Sequence, residues 1–378
     1  TLANPFGTLD GDEMFGSGPF YFDSMLDGVW YKFNTAPNYH GAEDYPDVRD
    51  VDVDGILYTV FTDSNALTIA MNSGDVDTIA LLADINTFTN VLGVGSTVPV
   101  TKMAVQEPGI CDVAINAVPE CFDTPTYYDG NPILRDPAVR KAIMMCLDKD
   151  YIVNDMLYGL PVMADSVVQP GFWHYTPENQ LPFDPMAARQ VLIDAGYDND
   201  VDGDGMLEAG PNSLAVIEGW CSVGDELSGI RCQAPDTDPN YFYVAMKWEG
   251  DAQDAGVGLE AMQLSEGVMT NLAWYQCDYD IWVWHWGWGP EPIGGALSCW
   301  MISEIVTGGD NCQMPMGDWW YNDYNYTNAQ AEIGLELDGR WSEFDQVMSE
   351  AQRTIDVGDR KLMVDHLQQM IYDSYTEN

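Results

Sequence analysis

The chain has 378 residues, a length that fits two domains or one large two-lobed unit. Its formal net charge of −47, from 61 Asp and Glu against 14 Lys and Arg, argues against nucleic acid as a partner, because counterion release would oppose binding. Hydrophobic residues make up 46% of the chain, yet no run of 18 apolar residues occurs, so the composition predicts a globular fold without a transmembrane helix.

The acidic residues are spread along the whole chain and do not form a tail. This pattern is typical of a halophilic protein, because the Debye length shrinks to ~3 Å in 1 M salt and self-repulsion is then screened. An ordinary secreted acidic protein is the alternative interpretation.

The first 110 residues predict strands with short helices. A turn leads into a strand at 16–22, GSGPFYF, and a second strand is expected at 55–61, GILYTVF. A helix with apolar residues at helical spacing follows and stops at Gly74, and a short strand is expected from Val76. This order of strand, helix and strand indicates an α/β unit, with a crossing between two lobes near 104–118.

The rest of the chain predicts helices with clear starts. Asp136 and Asp184 are expected N-caps, each followed by Pro at the first helical position. The second of these helices covers 184–197. Two apolar stripes near the C-terminus predict core helices, the second after a cap at Asp356 and Asp359: Phe344, Val347, Met348 and Ala351, then Met363, Leu367, Met370, Ile371 and Tyr375.

Four tryptophans alternate in the segment 280–292, DIWVWHWGWGPEP. On a strand, residues two apart share a face, so Trp282 and Trp284 point to one side while Ile281 and Val283 point to the other. Both sides are apolar, which predicts a strand buried on both faces, with its first two tryptophans in the core. Glycine and proline then end the strand near Trp288.

Eight cysteines occur, none in a CxxC motif, which disfavours zinc or thioredoxin chemistry. Six of them form close pairs in the sequence and predict disulfides of an extracytoplasmic protein: Cys111 with Cys121, Cys221 with Cys232, and Cys299 with Cys312. Cys146 and Cys277 are expected to be buried thiols. One sequon, at Asn325, is compatible with a surface exposed outside the cell.

The segment 198–208, DNDVDGDGMLE, has the spacing of a calcium loop. Asp200, Asp202 and Asp204 occupy its positions 1, 3 and 5, and Gly205 occupies position 6. The twelfth position falls on Pro211, so Asp198 or Glu208 would have to replace the usual bidentate Glu. We expect a structural Ca²⁺ here. The similar DVDVDG at 50–55 leads directly into a strand and is interpreted as a strand entry.

Catalytic motifs are missing from the sequence. His40, His174, His285 and His366 are scattered, and no HExxH, GxSxG or P-loop occurs. The chain is therefore not expected to be an enzyme, although chance pairs of carboxylates are numerous in so acidic a sequence.

The motifs together resemble one family. The stretches GSGPFYF, APNYHG, MNSGDVD, LRDPAVRKAI, LDKDYIV, FDPMAARQVLIDAGY, DGDG and WGWGPEP follow the order seen in extracytoplasmic solute-binding proteins of the oligopeptide, dipeptide and nickel ABC-transporter class. Over about 350 residues, the chain resembles the middle and later portion of this family. A typical member has further residues before GSGPF and after QQMIYDSY, so we expect a partial chain or missing parts supplied by another chain.

The resemblance implies an α/β, two-lobed fold of the periplasmic-binding-protein type, in which the lobes close on a ligand around a hinge. Lobe I would comprise 1–115 and lobe II 116–378. The resemblance also places Trp286 and Trp288 beside the ligand, with Glu291 at the position where peptide-binding relatives carry an acid that pairs with the ligand's amino group. His285 is included in this predicted ligand site. The Asp-Pro that follows in relatives is Gly294-Gly295 here, which leaves an oligosaccharide or a quaternary amine open as ligand.

The expected function is therefore capture of a peptide-like small ligand outside the cytoplasm and its delivery to an ABC permease, with an anchor to the membrane outside the given segment. The alternative is a cell-surface structural or assembly protein that reuses this fold, stabilised by calcium and disulfides.

Overall fold

The computed structural model describes residues 17–37, 39, 51–79, 90, 109–117, 130–172, 174–176, 181–276, 278–287, 297 and 340–375. The chain divides into two compact units, residues 1–102 and 103–378. The predicted lobe boundary at 115 and the hinge at 104–118 stay predictions.

The first unit contains an antiparallel sheet of three strands, in the order β1 (Phe20–Leu26), β2 (Trp30–Thr35) and β3 (Gly55–Thr59), followed by helix α1 (Ser64–Ser73). Asp63 caps α1, and Gly74 ends it in the left-handed conformation at φ 82°. The strand expected from Val76 is wrong, because residues 76–79 lie in irregular structure after this cap.

The described part of the first unit buries very little apolar surface. Ala70 is its one buried hydrophobic residue, whereas Leu57, Tyr58 and Leu26 are each more than half exposed. The sheet is held by its backbone ladder and by edge-to-face aromatic contacts, with 5.8 Å between the rings of Phe22 and Phe33. These residues therefore do not form a core by themselves.

The second unit carries most of the regular structure. Its described strands form one mixed sheet in the order β4, β7, β5, β6, with β4 antiparallel to β7 and the other three strands parallel to one another. These strands are β4 (Gly109–Ile115), β5 (Ile230–Pro235), β6 (Leu259–Leu264) and β7 (Ile281–Gly287). The helices are α2 (Pro137–Met144), α3 (Lys149–Tyr151), α4 (Pro185–Asp194), α5 (Leu214–Ile217), α6 (Pro239–Ala255), α7 (Glu266–Thr270), α8 (Arg340–Arg353) and α9 (Val357–Ser374), with a 3₁₀ turn at Pro132–Arg135 and π-helical turns at Ile152–Met156 and Asn271–Gln276.

Helices cover both faces of this sheet. Alternate residues of β7 separate the two cores: Ile281 and Val283 pack towards α2, α4 and α6, while Trp282 and Trp284 pack towards α7, α8 and α9. The predicted strand buried on both faces is confirmed. The predicted caps at Asp136, Asp184 and Asp356 are confirmed as well, since each side chain accepts from backbone N–H groups of its own helix.

The cysteines correct part of the disulfide prediction. Cys221 and Cys232 are free thiols, so their predicted pairing is wrong. The strand pleat places Cys232 in the core against α6, whereas Cys221 follows α5 and has Asp225 and Asp136 as charged neighbours. Cys146 is a buried free thiol as predicted, and burial raises its pKa to about 12. Cys111 likewise forms no disulfide, so its predicted pairing with Cys121 is wrong as well; its thiol lies against the Tyr241 hydroxyl instead. The pairing of Cys299 with Cys312 and the prediction for Cys277 involve positions outside the described residues.

Candidate functional site

The carboxyl ends of the three parallel strands define one edge of the second unit's sheet. β5 ends at Pro235, β6 at Leu264 and β7 at Gly287, while the antiparallel β4 begins here at Gly109. Helices α6 and α7 begin directly after β5 and β6. In open α/β sheets, ligands bind outside the carboxyl ends of the strands, so we take this carboxyl edge as the candidate site.

Three side chains from three elements meet near this edge. His285 on β7 lies directly opposite Cys111 on β4. The imidazole of His285 stacks on the ring of Tyr241, from the first turn of α6, with 5.6 Å between centroids and 10° between planes. The Cys111 thiol donates to the Tyr241 hydroxyl over 3.8 Å. The edge therefore offers an aromatic platform with an imidazole, a phenol and an exposed thiol.

Tyr241 is well buried, with 8% of its surface exposed. Burial is the main cause that raises the pKa of Tyr241, followed by the neighbouring Cys111 thiol. The hydroxyl is therefore protonated at neutral pH, and it accepts a hydrogen bond from the Cys111 thiol. Its own O–H remains available to donate to a ligand.

The tryptophans behind the edge are structural. Trp282 is fully buried, and its ring stacks on Tyr279 at 4.7 Å and meets Trp284 edge to face at 5.7 Å. The indole N–H of Trp282 points at the buried Asp112 carboxylate, 3.4 Å away. These rings support β7 from beneath and do not themselves offer a ligand surface.

At the opposite end of β7, a buried carboxylate fixes the strand register. Asp280 accepts from the backbone N–H groups of Arg231 (2.9 Å) and Asn131 (2.8 Å) and from the Arg231 guanidinium. Arg231 also pairs with Asp278 at 2.7 Å. Because a slip of one residue would reverse the faces of β7, this anchor determines that His285 faces Tyr241.

The structure describes only part of the predicted ligand site. His285 lies at the carboxyl edge, and the backbone of Trp286 pairs with Ile110. The side chain of Trp286, and all of Trp288 and Glu291, are outside the described residues. Tyr241 and Cys111 were missed by sequence reasoning. The Asp-Pro cap before Tyr241 marks a helix start after a strand, but the contact across 130 residues with Cys111 has no local signal.

The predicted calcium loop brings three of its five candidate ligands together. Carboxylate oxygens of Asp200, Asp202 and Asp204 lie within 4.8 Å of one another, and all three residues are exposed. Asp198 and Glu208 are not in this cluster. Glu208 is buried instead, and its Oε1 accepts from the N–H of Val201 at 2.9 Å.

The same loop is tied to two helices. Gly203 and Gly205 adopt positive φ values of 79° and 100°, which lets the chain turn sharply between the carboxylates. The Gly205 carbonyl accepts from Arg189 of α4 at 3.0 Å, and the N–H of Leu207 donates to Gly256 after α6 at 2.9 Å. A cation at this loop would therefore act on stability, away from the carboxyl edge.

An open α/β sheet with aromatic and polar groups at its carboxyl edge is an arrangement that can hold a ligand. Residues 3–302 match the family described as bacterial extracellular solute-binding proteins, family 5 Middle. The chain belongs to this family, which is one of extracellular binding proteins and not of enzymes. Among the described helices, none is long and apolar enough to cross a membrane.

Two curated relatives illustrate the match. The chain is 26% identical over 201 residues to the oligopeptide-binding protein AppA of Bacillus subtilis, covering 51% of this chain and 32% of AppA. It is also 26% identical over 242 residues to heme-binding protein A of Haemophilus influenzae, covering 61% of this chain and 39% of that protein. The chain thus spans a third to two fifths of these relatives.

Solved structures share the fold. Bacillus subtilis AppA in complex with a nonapeptide aligns with a TM-score of 0.66 at 19% identity, covering 99% of this chain and 61% of AppA. Brucella suis NikA in complex with Fe(III)-EDTA aligns with a TM-score of 0.65 at 19% identity, covering 96% and 61%. The predicted α/β, two-lobed fold of the periplasmic-binding-protein type is therefore confirmed.

Two substitutions of Tyr241 distinguish the contribution of its ring to stability from that of its hydroxyl. Tyr241→Phe keeps the ring on His285 and should change the unfolding free energy by less than ~1 kcal/mol, because a thiol is a weak donor. Tyr241→Ala should cost about 3–5 kcal/mol, as for other buried aromatic rings. Urea denaturation followed by circular dichroism measures the stability of both variants. If the Phe variant were as unstable as the Ala variant, the Tyr241 hydroxyl would be needed for folding and would not be available to a ligand.

Proposed function

We propose that this protein captures a peptide-like small ligand outside the cytoplasm and delivers it to an ABC permease. The family match over residues 3–302 carries the proposal and favours it over a structural role at the cell surface. A binding protein needs few catalytic groups, and the sequence offers none of the common catalytic motifs.

The ligand would contact the carboxyl edge of the second unit's sheet. His285 and the Tyr241 hydroxyl would supply polar contacts there, and the ring of Trp286 or Trp288 would cover apolar parts of the ligand. Glu291 would pair with a ligand ammonium group. This combination of an acid with aromatic rings suits a peptide better than a neutral sugar.

The relatives support the assignment to the class of solute-binding proteins, but they do not identify the ligand of this chain. AppA was solved with a nonapeptide, NikA with Fe(III)-EDTA, and a third relative is a heme-binding protein. The same framework thus serves ligands of different chemistry in those proteins. A peptide-like ligand is our choice because of Glu291.

The proposed setting is the cell exterior, with a membrane anchor outside the given segment and a permease as partner. A disulfide between Cys299 and Cys312 would suit this oxidising compartment. The charge of −47 would suit concentrated salt, which screens the repulsion between acidic groups.

Native mass spectrometry of the purified protein should detect a retained ligand, and tryptophan fluorescence should respond to peptides and not to oligosaccharides. Trp288→Ala should weaken peptide affinity by tenfold or more, about 1.4 kcal/mol, since it removes a stacking ring. Trp220→Ala, outside the carboxyl edge, is the matched control. Unchanged affinity in Trp288→Ala would contradict the proposed site, and a fluorescence response to oligosaccharides alone would contradict the ligand class.

We also propose that the loop at 200–205 binds a structural Ca²⁺. The proposal is supported by the convergence of Asp200, Asp202 and Asp204 within 4.8 Å, because hard oxygen ligands at this spacing suit Ca²⁺ and their mutual repulsion favours a cation. The cation would hold the loop between α4 and α6, and water would complete its ligands, because Asp198 and Glu208 lie outside the cluster.

Calcium should raise the melting temperature of the chelated protein. At 100 times the dissociation constant, the expected gain is ~2.7 kcal/mol. The double variant Asp200→Asn, Asp202→Asn should lose this response. The matched control is Asp52→Asn, Asp54→Asn, which changes the same motif at a strand entry and should keep it. Calorimetry that detects no heat of Ca²⁺ binding would rule out the site.

A further inference from the structure

The carboxyl edge of the second unit's sheet carries an exposed thiol. Among the described cysteines, Cys146 and Cys232 are buried and Cys221 is half-buried, whereas Cys111 is exposed. Burial raises the pKa of the Cys146 thiol to about 12 and is the main cause that raises the pKa of the Cys221 thiol to about 11, so these two thiols stay protonated near neutral pH. Cys111 is therefore the described thiol that a reagent in solution reaches most easily.

Two polar side chains flank this thiol. His285 lies directly opposite Cys111 in the β4–β7 pair, and residues paired in this way have Cβ atoms about 4.5–5.5 Å apart. The Nδ1 atom of His285 is buried and has no hydrogen-bond partner among the described residues. The hydroxyl of Tyr241, a residue with 8% of its surface exposed, lies 3.8 Å from the Cys111 sulfur. The thiol therefore lies beside an imidazole with an unused nitrogen and beside a buried phenol.

These neighbours suit a thiol that acts as a nucleophile. The thiolate is the reactive form of cysteine, and a neutral imidazole can take up the proton that the thiol releases. The Tyr241 hydroxyl accepts from the thiol, but it can donate to the sulfur once the sulfur is charged. Because burial raises the pKa of Tyr241, the phenol keeps its proton for that purpose. The arrangement therefore stabilises the reactive form of Cys111.

The reaction open to such a thiolate is exchange with a disulfide. The sulfur of Cys111 attacks one sulfur of a small molecule R–S–S–R, whose S–S bond breaks as the new S–S bond to Cys111 forms. The other half leaves as R–S⁻ and takes up the proton that Cys111 gave up, so the products are a mixed disulfide and R–SH. The small disulfide is itself the oxidant, and no further electron acceptor is needed.

Acidic side chains next to this thiol select among disulfides. Besides burial and the Cys111 thiol, the charges of Asp238 and Asp112 raise the pKa of Tyr241, so the local field at its hydroxyl is negative. Asp238 caps α6 three residues before Tyr241, and Asp112 follows Cys111 on β4. A disulfide with a net negative charge is repelled at this position, whereas one with ammonium groups and no carboxylate is attracted.

We propose that Cys111 is a thiol-exchange site, at which a small disulfide with ammonium groups is captured as a mixed disulfide whose bound half lies over Tyr241 and His285. This inference rests on the proposed function in treating the carboxyl edge as the ligand site, and it adds a class of ligand that binds there covalently. The exchange chemistry itself depends on the three side chains alone. A thiol in solution reverses the capture.

Cystamine and glutathione disulfide, added separately to the native chain at equal concentration, test the site. Mass spectrometry with peptide mapping should locate the first cystamine adduct at Cys111, at a rate at least about tenfold above the rates at Cys146 and Cys221. Glutathione disulfide should react more slowly than cystamine. Cys111→Ser should lose this adduct, the matched control Cys221→Ser should keep it, and dithiothreitol should remove it.

Two further measurements test the role of Tyr241 and the position of the bound half. Tyr241→Phe keeps the ring and removes the donor, so exchange at Cys111 should slow by at least about fivefold, as for the loss of one hydrogen bond, while the circular dichroism spectrum stays unchanged. In the cystamine adduct, hydrogen exchange should slow in the first turn of α6 and at the end of β7. The fluorescence response to peptides should be lost in the adduct and return after reduction.

First modification at another cysteine would overturn the proposal, and so would an internal disulfide between Cys111 and Cys121, which the loss of two hydrogens reveals. An adduct at Cys111 that leaves both hydrogen exchange and an existing peptide response unchanged would overturn the position of the bound half. Equal rates with the two probes would overturn the ligand class, and a wild-type rate in Tyr241→Phe would overturn the role of the phenol. If the unmodified chain does not respond to peptides, the proposed function fails, while the adduct and its hydrogen exchange still decide the thiol-exchange site.

Discussion

The second unit depends on one strand that is buried on both faces. Ile281 and Val283 complete one core, and Trp282 and Trp284 complete the other, so β7 joins two hydrophobic clusters that otherwise lie on opposite sides of the sheet. Such a strand tolerates no slip, because moving by one residue would exchange aliphatic for indole side chains on both sides at once. Asp280 prevents that slip by accepting from Arg231 and Asn131 at the start of the strand.

The candidate site follows from this constraint. With its amino end anchored, β7 delivers His285 to the carboxyl edge, opposite Cys111 and against the ring of Tyr241. The loops that join the parallel strands to the following helices lie at this same edge. Their sequence can vary without disturbing the hydrophobic core. Relatives with a common framework and different ligands fit this division between a rigid sheet and a variable edge.

Sequence patterns predicted the features that are local. Alternation identified the buried strand, and Asp-Pro pairs identified the starts of α2 and α4, because caps and pleats depend on neighbouring residues. The predicted disulfide between Cys221 and Cys232 was wrong, because closeness in sequence does not determine which face of a strand a side chain lies on. Tyr241 was missed for the same reason: it meets His285 only after β5, α6 and β7 pack together. The family itself was recognised from the order of its motifs, which the match over 3–302 bears out.

We propose that a ligand binds at the carboxyl edge of this sheet. Hydrogen exchange with and without the ligand identified by mass spectrometry tests it most directly, because backbone amides report contact residue by residue. We predict slower exchange at the start of β4, in the first turn of α6 and at the end of β7 when ligand is present. Protection confined to the amino end of the sheet, or to the acidic loop at 200–205, would contradict the account.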